Sequence, residues 1–178
     1  MGRYKIVPFG DPVLRQKAKP VTVFHKKLGQ LIDSMWDTLE HREDGAALAA
    51  PQVGVLKRIV VINYQKEKFE LINPEILSAE GEKIAREGCL SFSGRWGEVK
   101  RFDKIKVKYY DRKGVEHIVE RDNLVSRCMQ HEIDHLDGVL FIDRMVEDSL
   151  VDDDEKKCMT LEEAIQIAGK QEPQTEAA

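Results

Sequence analysis

"RCMQHEIDHLDG", residues 127–138, contains two histidines four residues apart and a glutamate directly after the first. Residues four apart on an α-helix lie one turn above the other, with about 5–6 Å between their Cβ atoms, so His131 and His135 can bind one metal ion from a single face. Glu132 then lies beside the metal, where a carboxylate can take a proton from a water molecule and return it later. The alternative is a chance pattern on a surface helix with solvated histidines.

The helix around this stretch has recognisable ends. Asp122 or Asn123 can cap its N-terminus, and the helix then runs to Leu136, with Gly138 as its C-terminal stop. One stripe of this helix mixes apolar and ionisable residues as a plain core face seldom does: Leu124, Arg127, Cys128, His131 and His135.

The other segments predict one more helix near the N-terminus and several strands. Apolar spacing indicates an amphipathic helix over residues 22–41, with Thr22 as a possible N-cap. Segments rich in β-branched residues predict strands at 58–63, 69–77, 105–111 and 115–120, the last two joined by the turn "DRKG". We therefore predict an α+β fold, with antiparallel or mixed sheets around a central helix that carries the metal motif.

Length and charge restrict the organisation and the function. A chain of 178 residues with 42% hydrophobic residues can bury one sizeable core. Its net charge of −4 argues against a general nucleic-acid binder, so we expect no direct DNA binding. No apolar run is long enough for a membrane span and the N-terminus lacks a secretory core, so we expect a cytoplasmic protein that does not bind membranes.

A catalytic metal site of this type needs a third protein ligand. Metalloproteases with a third histidine place it six residues after the second, but that position is Phe141 here. A protease with a downstream glutamate could use one from the acidic tail, where solvated surface charge is the usual interpretation: Glu147, Glu155, Glu162 or Glu163. Cys89, beside Gly88, is a further candidate because a thiolate binds borderline divalent ions strongly. Cys128 and Cys158 are expected to be small buried hydrophobes.

The segment "GAALAAPQVG", residues 45–54, is rich in small side chains. We expect a tight loop that leads into a strand. Its small side chains would let the backbone and the Gln52 amide approach a ligand.

Taken together and in this order, "GAALAAPQ", "EGCLS" and "QHEIDHLDG" resemble the three signature motifs of the peptide deformylases. The resemblance extends from Ile6 to Met145 and includes "DPVLR" and "GVLFIDR". It divides the chain into a catalytic domain over residues 1–146 and an acidic C-terminal extension over 147–178. In the extension, "LEEAIQIAG" is expected to form a short helix and "KQEPQTEAA" to be disordered.

The resemblance implies a metal-dependent hydrolase that removes the formyl group from the initiator formyl-methionine of nascent polypeptides. It implies Cys89, His131 and His135 as ligands of one ion, ferrous iron natively, with zinc, nickel or cobalt able to replace it. Glu132 would transfer the proton, while the Gln52 amide and the Leu90 backbone N–H would stabilise the oxyanion.

The resemblance also suggests a substrate pocket, formed by Ala46, Ala47, Glu87, Leu124, Arg127 and Cys128. Arg127 stands where the family tends to place an apolar residue, so it either extends outward along its stem or alters the pocket and weakens the preference for methionine. Ala47, Ser93 and Asp137 replace the family's usual glycine, proline and asparagine. Arg101 could pair with Glu87 and hold the loop with the cysteine.

The expected partners are nascent chains near the ribosome, although the acidic tail argues against docking through a basic C-terminal helix. The expected compartment is the cytoplasm, or an organelle interior if the host is eukaryotic. Two other functions stay open: a metallopeptidase with a glutamate as third ligand, and a non-catalytic peptide-binding relative.

Overall fold

The computed structural model describes residues 2–148 and 150–170, and it confirms an α+β fold with antiparallel sheets. The helices are α1 (Lys26–Glu40), α2 (Asn123–Leu136) and α3 (Leu161–Ala168). The strands are β1 (Ala47–Ala49), β2 (Ile59–Tyr64), β3 (Glu67–Glu80), β4 (Lys83–Cys89), β5 (Phe92–Arg101), β6 (Lys104–Tyr110), β7 (Glu116–Asp122), β8 (Leu150–Val151) and β9 (Lys157–Met159). Short 3₁₀ helices lie at Pro12–Arg15, Ala50–Val53 and Phe141–Arg144.

The strands form two sheets, in the orders β1-β2-β3-β6-β7 and β4-β5-β8-β9. On β2 the side chains alternate between two cores, since Val60 packs with residues of α2 while Val61 packs with residues of α1. The first sheet is therefore covered by α1 on one face and by α2 on the other, as the alternation of a buried strand requires. Between β6 and β7, the N–H of Gly114 donates to the carbonyl of Asp111 and closes the predicted turn.

The N-terminal helix is shorter than predicted. It begins at Lys26, and its N-cap is His25, whose Nδ1 accepts a hydrogen bond from the N–H of Leu28 at 3.1 Å. The cap at Thr22 is wrong because a histidine ring nearer the helix satisfies that N–H. Phe24 lies inside the predicted range but before the helix, where it packs against Tyr110 at the edge of the core that α1 covers.

The prediction of a simple loop over residues 45–54 is wrong in part. Ala47–Ala49 forms β1, which pairs antiparallel with β2, and only Ala50–Val53 turns, as a 3₁₀ helix. Two of its three residues, Ala47 and Ala49, are alanines with little strand propensity, so the pairing depends on the tertiary context rather than on local preference.

The second sheet was not predicted, although the cysteine motif lies at the end of β4 and in the turn that leads to β5. The C-terminal extension completes it, since β8 pairs with β5 and β9 pairs with β8. Helix α3 has the capping box of Thr160 and Glu163, and it buries Ala164 and Ala168 against Leu14 and Phe141. The predicted disorder at the C-terminus falls mainly on residues 171–178, which lie outside the described residues.

Helix α2 has the predicted bounds, with Asp122 at the N-cap position. Gly138, directly after its C-cap, has a φ of +70°, and a Cβ there would lie 2.3 Å from the carbonyl oxygen of Arg15. Only glycine fits this stop, for both backbone and steric reasons. Within the described part of the chain, the helices are too short or too polar to cross a bilayer.

Candidate metal centre

Cys89, His131 and His135 come together between β4 and α2. Their donor atoms all lie within 4.8 Å of one another, and the Cys89 Sγ is 3.4 Å from the Nε2 of His135. Cys89 is the last residue of β4, while the histidines lie one turn apart on the buried part of α2. Among the described residues, this is the only such group of potential metal ligands.

The donor set fits a divalent transition metal. One thiolate and two imidazoles are ligands that zinc and iron accept, and three ligands leave a fourth position in a tetrahedral site. The Nδ1 of His135 and the Oε2 of Glu132 are buried, and neither has a hydrogen-bond partner among the described residues. Such unsatisfied buried atoms are costly in a folded protein and are typical of a functional site.

Glu87 orients the first histidine. Its Oε2 lies 2.9 Å from the Nδ1 of His131, which leaves Nε2 of that ring as the atom that can bind a metal. Burial raises the pKa of Glu87, but hydrogen bonds from His131 and Arg101 outweigh this effect and lower that pKa well below its usual value. Glu87 is therefore ionised, and it contacts a candidate metal ligand as well as lining the cleft.

The predicted pair of Arg101 and Glu87 is present and buried. Arg101 donates from Nε and Nη2 to the two oxygens of Glu87, at 2.9 and 3.0 Å. Its Nη1 donates to Asp134, which also accepts two hydrogen bonds from Arg144. Charges on β4, β5 and α2 thus neutralise one another.

Arg127 does not extend outward. Only 8% of the residue is exposed, and its guanidinium donates to Glu87 and to the backbone carbonyls of Lys83 and Val99. Its charge is turned towards β4 and β5, since buried guanidinium groups need acceptors for their N–H groups.

Glu132 lies beside the histidines, at the wall of a cleft. Burial raises the pKa of its carboxyl group to about 7. A carboxyl group in such surroundings can hold a proton and release it near neutral pH.

The amide of Gln52 faces the same group of residues and is 1% exposed. Its Oε1 accepts from the N–H of Ala49 at 2.9 Å, so its NH2 group points towards Cys89 and Ser91, at 3.5 and 3.3 Å. Leu90 occupies the turn between β4 and β5, directly after the cysteine.

The cleft has a volume of about 320 Å³. All of the residues assigned to the substrate pocket line it: Ala46, Ala47, Glu87, Leu124, Arg127 and Cys128. Leu124 is 46% exposed and therefore lies at the rim. Burial raises the pKa of the Cys128 thiol well above its usual value, so this wall stays uncharged.

The tail residues lie elsewhere. Glu155 pairs with Arg86 and Glu163 caps α3, and none of the four tail glutamates belongs to the cluster of potential ligands in the described residues. The expectation of a buried Cys158 is wrong, because that residue is exposed on the short strand β9.

Sequence reasoning missed several residues of this region. Trp96 lines the cleft, Ser91 contacts the Gln52 amide and Asp134 holds Arg101. The only local signal was the position of Asp134 inside the histidine motif. Gly88 packs closely on Trp96, since a Cβ at this glycine would lie 2.8 Å from the indole ring, but only the structure shows this contact.

A family model described as polypeptide deformylase matches residues 3–150. The chain belongs to this family. Its members are metal-dependent hydrolases that deformylate nascent polypeptides. The Cys89, His131 and His135 group is the part of this deformylase that could bind the metal.

Curated relatives and solved structures agree with this assignment. A peptide deformylase from Heliobacterium modesticaldum is 53% identical over 84% of this chain and 98% of its own length. Peptide deformylase 1 from Bacillus subtilis is 46% identical over 83% of this chain and 96% of its own. The crystal structure of the Thermotoga maritima peptide deformylase superimposes with a TM-score of 0.80 at 44% identity, covering 83% of this chain and all of that one.

A further solved structure matches a larger share of this chain. A peptide deformylase from Synechococcus elongatus, in complex with actinonin, covers 95% of this chain and 87% of its own, with a TM-score of 0.80 at 38% identity. The Thermotoga structure covers a smaller share of the deformylase chain than this one does.

Proposed function

We propose that this chain removes the formyl group from N-formylmethionyl peptides with one divalent metal ion held by Cys89, His131 and His135. The observation that carries the proposal is the contact of a cysteine with two histidines of α2, beside the buried and unpaired carboxyl oxygen of Glu132. Binding alone would need no such carboxyl group.

Ferrous iron is the native ion in this proposal, with zinc, nickel or cobalt able to replace it. A ligand set of one thiolate and two imidazoles suits each of these ions. When bound, the ion supplies a Lewis acid that polarises a carbonyl group and lowers the pKa of water.

Glu132 moves the proton. Its Oε2 has no partner in the described protein, and the residue is part of the lining of the cleft, so the carboxyl group can accept the proton of the attacking water molecule. The same carboxyl group then delivers the proton to the departing amine, and formate and a free N-terminus result.

Gln52 and Leu90 stabilise the oxyanion. The amide of Gln52 is fixed through its carbonyl oxygen, so its NH2 group is a preoriented donor that costs little to reorganise. The backbone N–H of Leu90, next to Cys89 in the chain, is the second donor.

The methionine side chain enters the cleft between β1 and α2. Ala46, Ala47, Leu124 and Cys128 offer apolar walls there, together with the stem of Arg127. The predicted weaker preference for methionine then arises from the volume of that stem. Rates for formyl-Met and formyl-Leu peptides, compared between the wild type and Arg127→Ile, test it.

The proposed partners are nascent chains near the ribosome, and the proposed compartment is the cytoplasm, where such chains emerge. Residues 1–146 form the catalytic domain in this proposal, and 147–178 form an extension that supports the cleft.

The test is release of free amine from a formyl-Met tripeptide by protein purified anaerobically, with its bound metals quantified in the same sample. We expect fast release with about one metal per chain, and no cleavage of the acetylated tripeptide or of internal peptide bonds. Cleavage of internal bonds would favour a metallopeptidase. One metal per chain without any release would favour a binding protein.

A further inference from the structure

Arg127 connects the helix with both histidines to the hairpin with the cysteine. Its Nη1 donates to the Oε1 of Glu87 at 2.8 Å and to the carbonyl of Val99 at 2.9 Å, and its Nη2 donates to the carbonyl of Lys83 at 2.7 Å. Lys83 and Glu87 belong to β4, which ends at Cys89, and Val99 belongs to β5. One side chain of α2 therefore holds both strands of the hairpin.

Arg127 also completes the surroundings of Glu87. Oε1 of Glu87 accepts from Arg101 Nε and Arg127 Nη1, and Oε2 accepts from Arg101 Nη2 and faces His131 Nδ1. A carboxylate has about four lone-pair sites, so this one cannot turn without losing a hydrogen bond. The two guanidinium groups approach from different elements, β5 and α2.

The two terminal nitrogens of Arg127 bind the protein itself. The side chain is 10% exposed, and Nη1 and Nη2 donate to Glu87 and to backbone carbonyls, while the residue is also part of the lining of the cleft. These donors therefore hold elements of the protein together.

We propose that Arg127 is a positioning residue of the metal centre. By fixing Glu87 and by holding α2 against β4, it sets the orientation of His131 and the separation of both histidines from Cys89. This inference rests on the proposed function, in which those three residues hold the metal. Partners of ligating histidines are known to tune metal affinity through orientation, and Arg127 acts one step further out.

The test is the variant Arg127→Met, which keeps a long apolar stem in the cleft and removes the donors. The dissociation constants of Zn²⁺ and Co²⁺ are measured by competition with a chromogenic chelator, together with the absorption spectrum of the Co²⁺ protein and the melting temperature of the metal-free protein. We expect about tenfold weaker metal binding and a changed thiolate-to-cobalt absorption band. A lower melting temperature with dissociation constants within about twofold of the wild type would overturn the proposal.

Arg15→Met is the matched control. Arg15 is as buried as Arg127, and its guanidinium similarly binds one carboxylate, that of Asp143, and the carbonyls of Gly138 and Gly169. Because these partners do not include a candidate ligand or Glu87, we expect a lower melting temperature with unchanged metal affinity.

A double-mutant cycle tests whether Arg127 acts through Glu87. In a Glu87→Gln background, we expect Arg127→Met to weaken metal binding far less than it does in the wild type, since the route is already broken. Full additivity would overturn the proposed route.

If Arg127→Met does not fold, Arg127→Lys replaces it. A single ammonium group cannot reach Glu87 and both carbonyls, so we expect severalfold weaker metal binding in this variant. Wild-type affinity would overturn the proposal. A wild type that binds no metal at all would instead contradict the proposed function.

Discussion

The amide of Gln52 lies against the thiol of Cys89, with 3.5 Å between Nε2 and Sγ. The other end of the amide is fixed by the N–H of Ala49, so the NH2 group cannot exchange places with the oxygen without losing that hydrogen bond. A short 3₁₀ helix thereby presents a donor to the candidate ligand Cys89, and the small residues around it leave the space open.

The first prediction concerns this donor. For Gln52→Leu we expect roughly a hundredfold to thousandfold lower kcat with the metal retained, because the proposed function makes Gln52 an oxyanion donor and not a metal ligand. Steady-state kinetics with a formyl-Met tripeptide and metal analysis check it. The control is Ser91→Ala, which removes the other contact of Nε2. If Ser91→Ala lowered kcat as much as Gln52→Leu does, the orientation of the amide rather than its N–H group would be responsible.

The second prediction concerns Glu132. We expect Glu132→Ala to keep one metal per chain and to lose turnover by on the order of 10³-fold or more, since the same carboxyl group takes the proton and returns it. Glu132→Gln keeps the volume and should lose as much, which separates proton transfer from packing. Loss of metal in either variant would contradict the assigned role, because Glu132 would then be a ligand.

The third prediction concerns Cys89 and oxygen. We expect Cys89→Ser to bind metal poorly, and we expect the wild type to lose activity in air as the metal and the thiolate oxidise. Metal content and the mass of the Cys89 peptide, measured before and after exposure, check this. Cys158→Ser is the control, since that thiol is exposed and away from the cluster. An air-exposed wild type with full activity would argue against ferrous iron.

Helix α2 could be predicted because its sequence signal is local. Its two histidines and its glutamate lie at a fixed spacing and a glycine follows, so the pattern can be recognised within a single helix. The structure has that helix at the predicted bounds. The partner on another element, Cys89, had only its neighbour Gly88 as a local signal, and its choice over the tail glutamates came from the resemblance to the family.

The hairpin of β4 and β5 could not be predicted in the same way. It buries charged residues, Glu87 and Arg101, which are stable only because they neutralise each other and their neighbours across elements. No local periodicity reveals such pairing. The orientation of the Arg127 side chain could not be predicted for the same reason, since its hydrogen-bond acceptors lie on these two strands.

The fourth prediction concerns Asp137, where the family resemblance suggests asparagine. Asp137 pairs with Arg58 at 2.7 Å, and the same Nη1 of Arg58 also donates to the carbonyl of Leu136. The pair is partly exposed, so we expect Asp137→Asn to lower the free energy of unfolding by at most about 1 kcal/mol without changing activity.

Urea denaturation and the peptide assay check the fourth prediction. Asp143→Asn is the comparison, because Asp143 pairs with the more deeply buried Arg15 through two hydrogen bonds. Breaking that pair should cost about 3 kcal/mol. Equal losses in the two variants would mean that burial of the arginine does not control the strength of these pairs.

The fifth prediction concerns the C-terminal extension as a support of the cleft. Asp153, in the turn between β8 and β9, accepts a hydrogen bond from the Nε1 of Trp96 at 2.7 Å, and Glu155 pairs with Arg86, which lies 5.3 Å from the centre of the Trp96 ring. Trp96 and Arg86 both line the cleft. Within the described part of the chain, neither forms a hydrogen bond or an ion pair with the candidate metal ligands. Loss of this support should therefore loosen the wall and leave the chemical groups unchanged.

For Asp153→Ala we accordingly expect KM for formyl-Met peptides to rise about twofold to tenfold, the value of one lost hydrogen bond, with kcat unchanged. Asp154→Ala is the matched control: its carboxylate is exposed and lies 3.7 Å from Lys156, so the variant removes an equal charge from the same turn without touching Trp96. An equal rise of KM in both variants would assign the effect to the charge of the turn. A fall in kcat for Asp153→Ala alone would mean that Trp96 positions the reacting group, because a wall that only binds the peptide acts on the ground state and the transition state alike.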